Sequence, residues 1–315
     1  MAEIFYGIHE YDGKVISISD ILNLPAPDTM RGARCRCLCP NPQCQKPLLA
    51  KLGRGVENGG KEPHFSHFPD LEGSCNSAHA NESALHMMAK EIIAEEKIFS
   101  APNVEITWTD AKINTLPLIP LSEIPTYIHP IGGVFECSKV SLEKRLSGIV
   151  PDIVTYSPFG ECLIEISVTH PVTVEKKAKT VELQIPMLEI DLSDFKNKPI
   201  SKQTLREILL NSTERMHWVY YNDQEQIFLQ ARDYYQNHPI VLTYIERERK
   251  REETLKREYE ETRAKEHARR IAYNQKSYRS WSKSSNNVVN KTNYNEYLQR
   301  GLAFYREQKD HKDDK

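Results

Sequence analysis

Soft metal ligands crowd one short stretch of this 315-residue chain and limit how that stretch can fold. Five of the seven cysteines lie between Cys35 and Cys75, and His64 and His67 lie in the same interval. An odd number of crowded thiols argues against the disulfide framework of a small secreted protein and indicates a reducing compartment. Thiols and imidazoles between Pro and Gly turns are typical of a tetrahedral zinc site. The sequence therefore predicts a small N-terminal zinc-binding β module.

Spacing alone leaves the zinc ligands open, because seven candidates compete for four positions. Cys39 and Cys44 enclose a Pro-rich turn, and two histidines follow about twenty residues later, so we favour both cysteines together with His67. The fourth ligand is either His64 or Cys75. The alternative to a metal site is a set of reduced structural cysteines beside surface histidines. Cys35 and Cys37 share the strand face predicted for Cys39, so they remain alternative zinc ligands.

A pair of carboxylates marks a second site, in the β-rich residues 151–176. Asp152 opens one predicted strand, residues 157–160 form a turn, and Glu165 lies inside the apolar strand that follows. A carboxylate in a half-buried strand is costly unless a cation pairs with it. Two converging acids suit a divalent metal ion and the phosphates that such an ion holds. The pattern predicts a hairpin that carries a hard-metal site.

A helix and several strands are predicted around this hairpin. The helix over 81–94 begins with a capping Asn81 and carries Glu82, His86 and Lys90 at intervals of four residues. From spacing alone, such a polar stripe is typical of a solvated face. Strands on both sides of a helix indicate a mixed α/β sheet with the acidic hairpin at its centre. Other predicted elements are a hairpin over 4–21, strands over 104–108, 133–137, 187–192 and 216–221, and helices over 174–183 and 204–210.

Beyond Ile245 the composition shifts to Glu, Arg and Lys. Apolar residues are too sparse there for heptads, so we predict a solvated helix to about Ala272 that is held by charge pairs. A polar linker over 276–293, an amphipathic helix over 294–308 and a disordered tail follow. The chain is thus predicted to have a zinc module, a central α/β domain and a charged helix with its tail, over residues 1–80, 81–240 and 241–315.

Composition narrows the classes of partner and compartment. The net charge of -2 gives no bulk basic signature, so a nucleic-acid surface would have to be a local patch. The sequence shows neither the apolar segment of a signal peptide nor an apolar run of membrane-spanning length. We therefore expect a cytoplasmic protein without a membrane span.

The order of the motifs resembles that of the CoiA-like competence proteins. The motifs are, in chain order, CPNPxC at 39–44, HFSH at 64–67, ESALHxxxK at 82–90, PD at 151–152, EISVTH at 165–170 and EIDLS at 189–193. They cover roughly residues 34–193, about half of the chain. This resemblance implies a PD-(D/E)XK nuclease-like core sheet that is flanked by helices and preceded by a zinc-binding module.

The resemblance also implies a divalent metal site. Asp152 and Glu165 correspond to metal-binding acids, and Glu82 on the first helix adds a third carboxylate with His86 beside it. Phosphodiester hydrolysis needs hard oxygen ligands for Mg²⁺ or Mn²⁺, a water near the scissile phosphate and a cation that offsets developing charge. The implied cofactors are therefore a structural zinc ion and a catalytic Mg²⁺ or Mn²⁺ ion.

The implied activity is metal-dependent DNA cleavage in uptake, recombination or defence against foreign DNA. Ser167 stands where the superfamily has its catalytic lysine, so another cation is required, and Lys176 on the following helix is preferred to Lys179. The same departure permits a non-catalytic DNA-binding adaptor with the same fold and zinc module. A third hypothesis is a zinc-stabilised scaffold whose charged C-terminal helix binds a protein partner or a second copy.

Overall fold

The computed structural model describes residues 3–53, 61–69, 75–111 and 124–284. The chain divides into two compact units, residues 1–241 and 242–315. The first unit is a mixed α/β structure, and the described part of the second is one long helix. The predicted amphipathic helix over 294–308, the tail and the last part of the polar linker lie outside the described residues.

Five strands and a short helix build the N-terminal sheet: β1 (Tyr6–His9), β2 (Val15–Ser17), α1 (Ile18–Leu22), β3 (Gly32–Leu38), β4 (Pro47–Lys51) and β5 (His64–His67). The strand order is β2-β1-β3-β4-β5, and all neighbours are antiparallel. The predicted N-terminal hairpin is present as β1 and β2, with Gly13 in its turn at a φ of 66°. The hairpin ends at Ser17, because Ser17 caps α1 and donates its backbone N–H to the Asp20 carboxylate at 2.9 Å.

Helix α2 (Ser77–Glu96) is longer than predicted at its N-terminus, because Asn76 rather than Asn81 is the cap. The Asn76 side chain accepts a hydrogen bond from the backbone N–H of Ala78 at 3.0 Å. Asn81 is buried instead, and its side-chain oxygen accepts from the backbone N–H of Phe5 at 2.9 Å. The helix is thereby tied to the strand region at the start of the chain.

Two small antiparallel sheets follow α2 and contain β6 (Ile98–Ala101), β7 (Val104–Ile106), β8 (Tyr127–His129) and β9 (Gly133–Glu136). β6 pairs with β9, and β7 pairs with β8. The strands predicted over 104–108 and 133–137 are therefore present, although both end earlier than predicted.

The second large sheet contains β10 (Lys139–Leu142), β11 (Ile153–Ser157), β12 (Gly160–Ser167), β13 (Met187–Asp191) and β14 (Met216–Tyr220). The strands lie in this order, with β12 and β13 parallel and the other pairs antiparallel. Helix α3 (Val174–Leu183) connects the parallel pair, and α4 (Lys202–Asn211) precedes β14. The predicted mixed sheet with the acidic hairpin at its centre is confirmed.

Helix α5 (Gln224–Asn237) is followed at once by α6 (Pro239–Ser284). Nearly every described side chain after Val241 is exposed, as predicted for a solvated helix. The helix continues through the first part of the predicted linker, because residues 273–284 contain neither Gly nor Pro to end it. Within the described ranges, no helix is both long and apolar enough to cross a membrane.

One hydrophobic core runs from the N-terminal sheet through α2 to one face of the second sheet. Phe65, Met88 and Ile164 belong to this same cluster, and each is at most 1% exposed. The predicted zinc module (residues 1–80) and the predicted central domain (residues 81–240) therefore share one hydrophobic core. The opposite face of the second sheet has a smaller cluster that includes Val154, Leu163 and Met187.

We predict that a chain shortened after Glu248 keeps the stability of the full chain, because Val241 is the last buried residue that the structure describes. The two thermal midpoints should agree within about 2 °C. Val241→Ala in the shortened chain is the sensitivity control and should cost about 1–3 kcal/mol, because Val241 is 1% exposed. Aggregation of the shortened chain, or a clearly lower midpoint, would show that α6 stabilises the first unit or an oligomer.

Candidate metal centre and acidic site

The loop between Cys39 and Cys44 is a tight turn between β3 and β4. The Asn41 side-chain oxygen accepts from the backbone N–H of Gln43 at 3.0 Å, and the Asn41 carbonyl accepts from Cys44 N–H at 2.8 Å. At the base of the loop, Cys39 N–H donates to the Lys46 carbonyl at 2.8 Å. These bonds fix the loop, so that the two thiols have defined positions.

The loop thiols meet two further soft ligands from other parts of the chain. Cys39 Sγ lies 3.6 Å from Cys75 Sγ, and Cys44 Sγ lies 3.2 Å from His67 Nε2. All four ligand atoms lie within 4.8 Å of one another. His67 is the last residue of β5, whereas Cys75 comes directly before the Asn76 cap of α2. The cluster therefore joins the N-terminal sheet to the start of α2.

The geometry of this cluster fits a tetrahedral metal ion. Zinc bonds of about 2.0–2.3 Å place neighbouring ligand atoms about 3.3–3.8 Å apart. The measured sulfur–sulfur separation of 3.6 Å agrees with this and is far too long for a disulfide, and all seven cysteines are free. Burial raises the pKa of the Cys39 and Cys75 thiols, so thiolates there require a neighbouring cation. The group can bind a metal such as zinc.

The structure shows which of the candidate zinc ligands belong to the cluster. Cys75 rather than His64 completes the group, because His64 Nδ1 instead contacts the Glu62 carbonyl at 2.7 Å. Cys39 lies beyond the last residue of β3, so it does not continue the strand face that the sequence predicted for it. The two alternative ligands, Cys35 and Cys37, are buried in the core instead. Their thiols donate hydrogen bonds to backbone carbonyls, Cys35 to that of Leu48 at 3.4 Å and Cys37 to that of Cys35 at 3.2 Å.

The acidic hairpin brings Asp152 and Glu165 together. Ile153 is paired with Ile164 across β11 and β12, which places the two acids opposite each other. One Asp152 oxygen accepts from Ile166 N–H at 2.9 Å, and one Glu165 oxygen accepts from Asp152 N–H at 3.3 Å. Each carboxylate is thus oriented by the backbone of the other strand.

Two lysines from different helices compensate these acids. Lys176 at the start of α3 places Nζ 2.6 Å from a Glu165 oxygen and 3.0 Å from the Val150 carbonyl. Lys90 of α2 lies 3.8 Å from Asp152 Oδ1 and 2.6 Å from Glu143 Oε1. The acidic pair therefore has an ammonium group on each side.

The pKa of Glu165 is unusually high for a carboxyl group. Burial raises its pKa to about 7, against the favourable charge of Lys176, and the nearby Asp152 charge adds to the increase. The residue is only 8% exposed. Near neutral pH its charge therefore depends on whether a cation is close by.

The polar stripe of α2 faces the hairpin rather than the solvent, so the interpretation as a solvated face is wrong for its second half. Lys90 is 9% exposed. His86 Nε2 is buried and has no hydrogen-bond partner among the described residues. Burial lowers the pKa of His86, while the nearby Asp152 charge acts in the opposite direction. Packing against the sheet, which helical spacing does not reveal, accounts for the difference.

The three predicted acids do not form a ready divalent metal group. In the part of the chain that the structure describes, the only group of three or more His, Cys, Asp or Glu ligands that lie within 4.8 Å of one another is the Cys/His cluster. Glu82, Asp152 and Glu165 are therefore more widely spaced, and Lys176 takes up one Glu165 oxygen.

Sequence reasoning missed a further buried acid, Glu189. It is opposite Glu165 in the parallel register of β12 and β13, and it is 3% exposed. Its two oxygens contact Val172 N–H and His217 Nε2, both at 3.1 Å. The available signal was the same as for Glu165, a lone acid within an apolar strand. His217 also borders a surface cleft of about 1850 Å³, and neither Asp152 nor Glu165 lines this cleft.

No family model, no curated protein and no solved structure matches this chain. The function is therefore inferred from the side chains themselves.

We predict about one zinc ion per chain, required for folding rather than for catalysis. Cys75→Ser should lose most of the zinc and lower the thermal midpoint, because it removes one of four clustered ligands. His64→Ala is the matched control and should retain zinc, because His64 lies outside the cluster. Elemental analysis of the freshly purified variants measures their zinc content, and thermal unfolding measures the midpoint. Metal-free wild type with readily alkylated Cys39 and Cys44, or equal zinc loss in both variants, would contradict the assignment.

A second prediction concerns pH. Because the folded state raises the Glu165 pKa from 4.5 to about 7, the contribution of this carboxyl group to wild-type stability should fall as the pH rises through that interval. Glu165→Gln has no proton to lose, so its unfolding free energy relative to wild type should increase by about 1–3 kcal/mol over the same interval. Denaturant unfolding at several pH values measures this. Glu161→Gln, an exposed acid on the same strand, is the control, and a flat difference for Glu165→Gln would oppose the buried, titrating carboxyl.

Proposed function

We propose that this protein is a metal-dependent nuclease, or a nuclease-like DNA-processing protein, of the PD-(D/E)XK kind and akin to the CoiA-like competence proteins. Its substrate is DNA handled in uptake, recombination or defence against foreign DNA. The observation that supports this most is the pairing of Asp152 with Glu165 across one hairpin, with Lys176 Nζ 2.6 Å from Glu165. Paired acids next to a cation, one of them buried as Glu165 is, are the groups that phosphodiester hydrolysis requires.

The donor chemistry of this pair fits Mg²⁺ or Mn²⁺, which bind hard oxygen ligands. Asp152 Oδ1 accepts no hydrogen bond among the described residues, and its ion-pair partner Lys90 lies 3.8 Å away, beyond hydrogen-bond distance. Asp152 and Glu165 would hold the ion, and Glu82 on α2 would have to move closer to serve as a third ligand, because the three acids are more widely spaced than a metal group. When bound, the ion supplies charge neutralisation and a water molecule of lowered pKa.

The protein's own groups orient the acids and supply positive charge. Backbone N–H groups of Ile166 and Asp152 fix one oxygen of each acid, so little reorganisation is needed on binding. Lys176 offsets the negative charge that develops on the phosphate in the transition state. Lys90 holds Asp152 from the α2 side, and Glu143 balances the charge of Lys90.

His86 is the candidate for proton transfer at this site. Its lowered pKa keeps the imidazole uncharged at neutral pH. Its Nε2 has no hydrogen-bond partner among the described residues, so it is available to accept a proton or to hold a water molecule. The Asp152 charge nearby stabilises the imidazolium that would form.

A non-catalytic DNA-binding adaptor is the second candidate, and two contacts favour it. Ser167, at the usual lysine position, donates its hydroxyl to the His170 carbonyl at 3.1 Å and serves only the local loop. Lys176 is already bonded to both Glu165 and the Val150 carbonyl. If Lys176 stays in these contacts, the site would bind DNA without cleaving it.

We predict that Asp152→Ala and Glu165→Ala each reduce cleavage by about 100-fold or more while the protein stays folded. Lys176→Met should lose activity but retain Mn²⁺ binding, and adding Ser167→Lys should restore part of the loss. Lys179→Met is the matched control, because Lys179 is on the same helix and its one hydrogen bond among the described residues is to the Gly148 carbonyl, at 3.4 Å.

The assay compares linear duplex, single-stranded and branched DNA with Mg²⁺ or Mn²⁺. Wild-type cleavage in both acid variants would refute the proposed site. An inactive wild type that still binds DNA would favour the adaptor.

A further inference from the structure

The charges of α6 are divided unequally along the helix. Residues 246–261 contain six basic and seven acidic side chains, whereas residues 263–276 contain five basic side chains and one acid. We call residues 263–276 the basic arm. The average charge of the chain hides this segment, because the acids elsewhere balance it.

Ion pairing follows the same division. In the balanced part, Lys250 pairs with Glu246 at 2.8 Å, and two weaker pairs join Arg251 to Glu248 and Arg249 to Glu253. Within the described residues, none of the five cations of the basic arm has an ion-pair partner. All five are exposed, namely Arg263, Lys265, Arg269, Arg270 and Lys276.

Three of these cations form a line. At 100° per residue, Lys265, Arg269 and Lys276 lie within about 40° of one another, and they span about 16 Å of the helix. Like charges at a spacing of four residues, such as Lys265 and Arg269, destabilise a helix unless anions lie against them. A row of unpaired cations thus favours a repeated, negatively charged partner.

We infer that the basic arm binds the phosphate backbone of DNA without reading its sequence. The choice of DNA rests on the proposed function. The charge row complements a polyanion, and B-DNA has a major groove wide enough for a helix. A second copy of the arm would be repelled. A lipid surface fits less well, because the face of the basic arm opposite the row carries Arg263, His267 and Asn274, and Ile271 is the one large apolar side chain there.

The test uses the full chain with three substitutions, Lys265→Gln, Arg269→Gln and Lys276→Gln. The matched control is Arg249→Gln, Lys250→Gln and Arg251→Gln, which removes the same charge from the same helix but from paired positions. Binding to a labelled short duplex is measured by anisotropy over a range of salt. Circular dichroism checks the helix content of both variants.

The arm variant should bind at least about 10-fold more weakly at low salt, and the slope of log affinity against log salt should fall by about 3, one unit for each lost phosphate contact. The control should keep the wild-type slope. An unchanged slope in the arm variant, or equal loss in the control, would overturn the inference. Arm-dependent binding to anionic vesicles in place of DNA would overturn the choice of partner.

The two proposals fail separately in this design. Asp152→Asn is included, because it removes the candidate site and leaves the arm intact. If wild type cleaves DNA and the arm variant binds DNA as tightly as wild type, only the DNA-binding role of the basic arm is rejected. Arm-dependent binding without cleavage by wild type would reject the nuclease alone.

Discussion

The first unit depends on the burial of helix α2 between two sheets. Leu85, Met88 and Ile92 are each at most 1% exposed, and they belong to the core that both sheets share. The same burial forces the polar side of the helix, with His86 and Lys90, against the acidic hairpin. Apolar packing is the dominant favourable term in folding, and here it also fixes the composition of the candidate site.

Charge balance is the second constraint, because ionised groups in a buried site are stable only when they are paired. Lys176 and Lys90 provide that balance for Glu165 and Asp152. A divalent ion at this site would therefore compete with two ammonium groups, and with the proton that Glu165 holds below a pKa of about 7. Displacement of Lys176 by an ion would free the ammonium group for a phosphate, so metal binding and lysine release would be coupled in one exchange.

Local patterns in the sequence predicted what local interactions determine. The turn at 157–160 and the apolar strands on either side of it identify the hairpin, and the Pro-rich loop identifies Cys39 and Cys44. Contacts between distant segments were not predictable in this way. The selection of Cys75 over His64 depends on how β5 and the start of α2 meet. The burial of Lys90 and Glu189 depends on packing across the sheet. Periodicity alone predicts a solvent-facing helix position for Lys90 and an ordinary strand position for Glu189.

The Cys/His cluster and the acidic site are connected through one rigid element, helix α2. Cys75 precedes the first turn of α2, while Glu82, His86 and Lys90 follow along the same helix, up to about 22 Å away at 1.5 Å per residue. A metal ion bound at the cluster would therefore act on Lys90 through the helix, by fixing the start of α2. A metal-free chain is therefore expected to lose the Lys90 contact through loosening of α2, while the hairpin bonds between Asp152 and Glu165, which are local, persist.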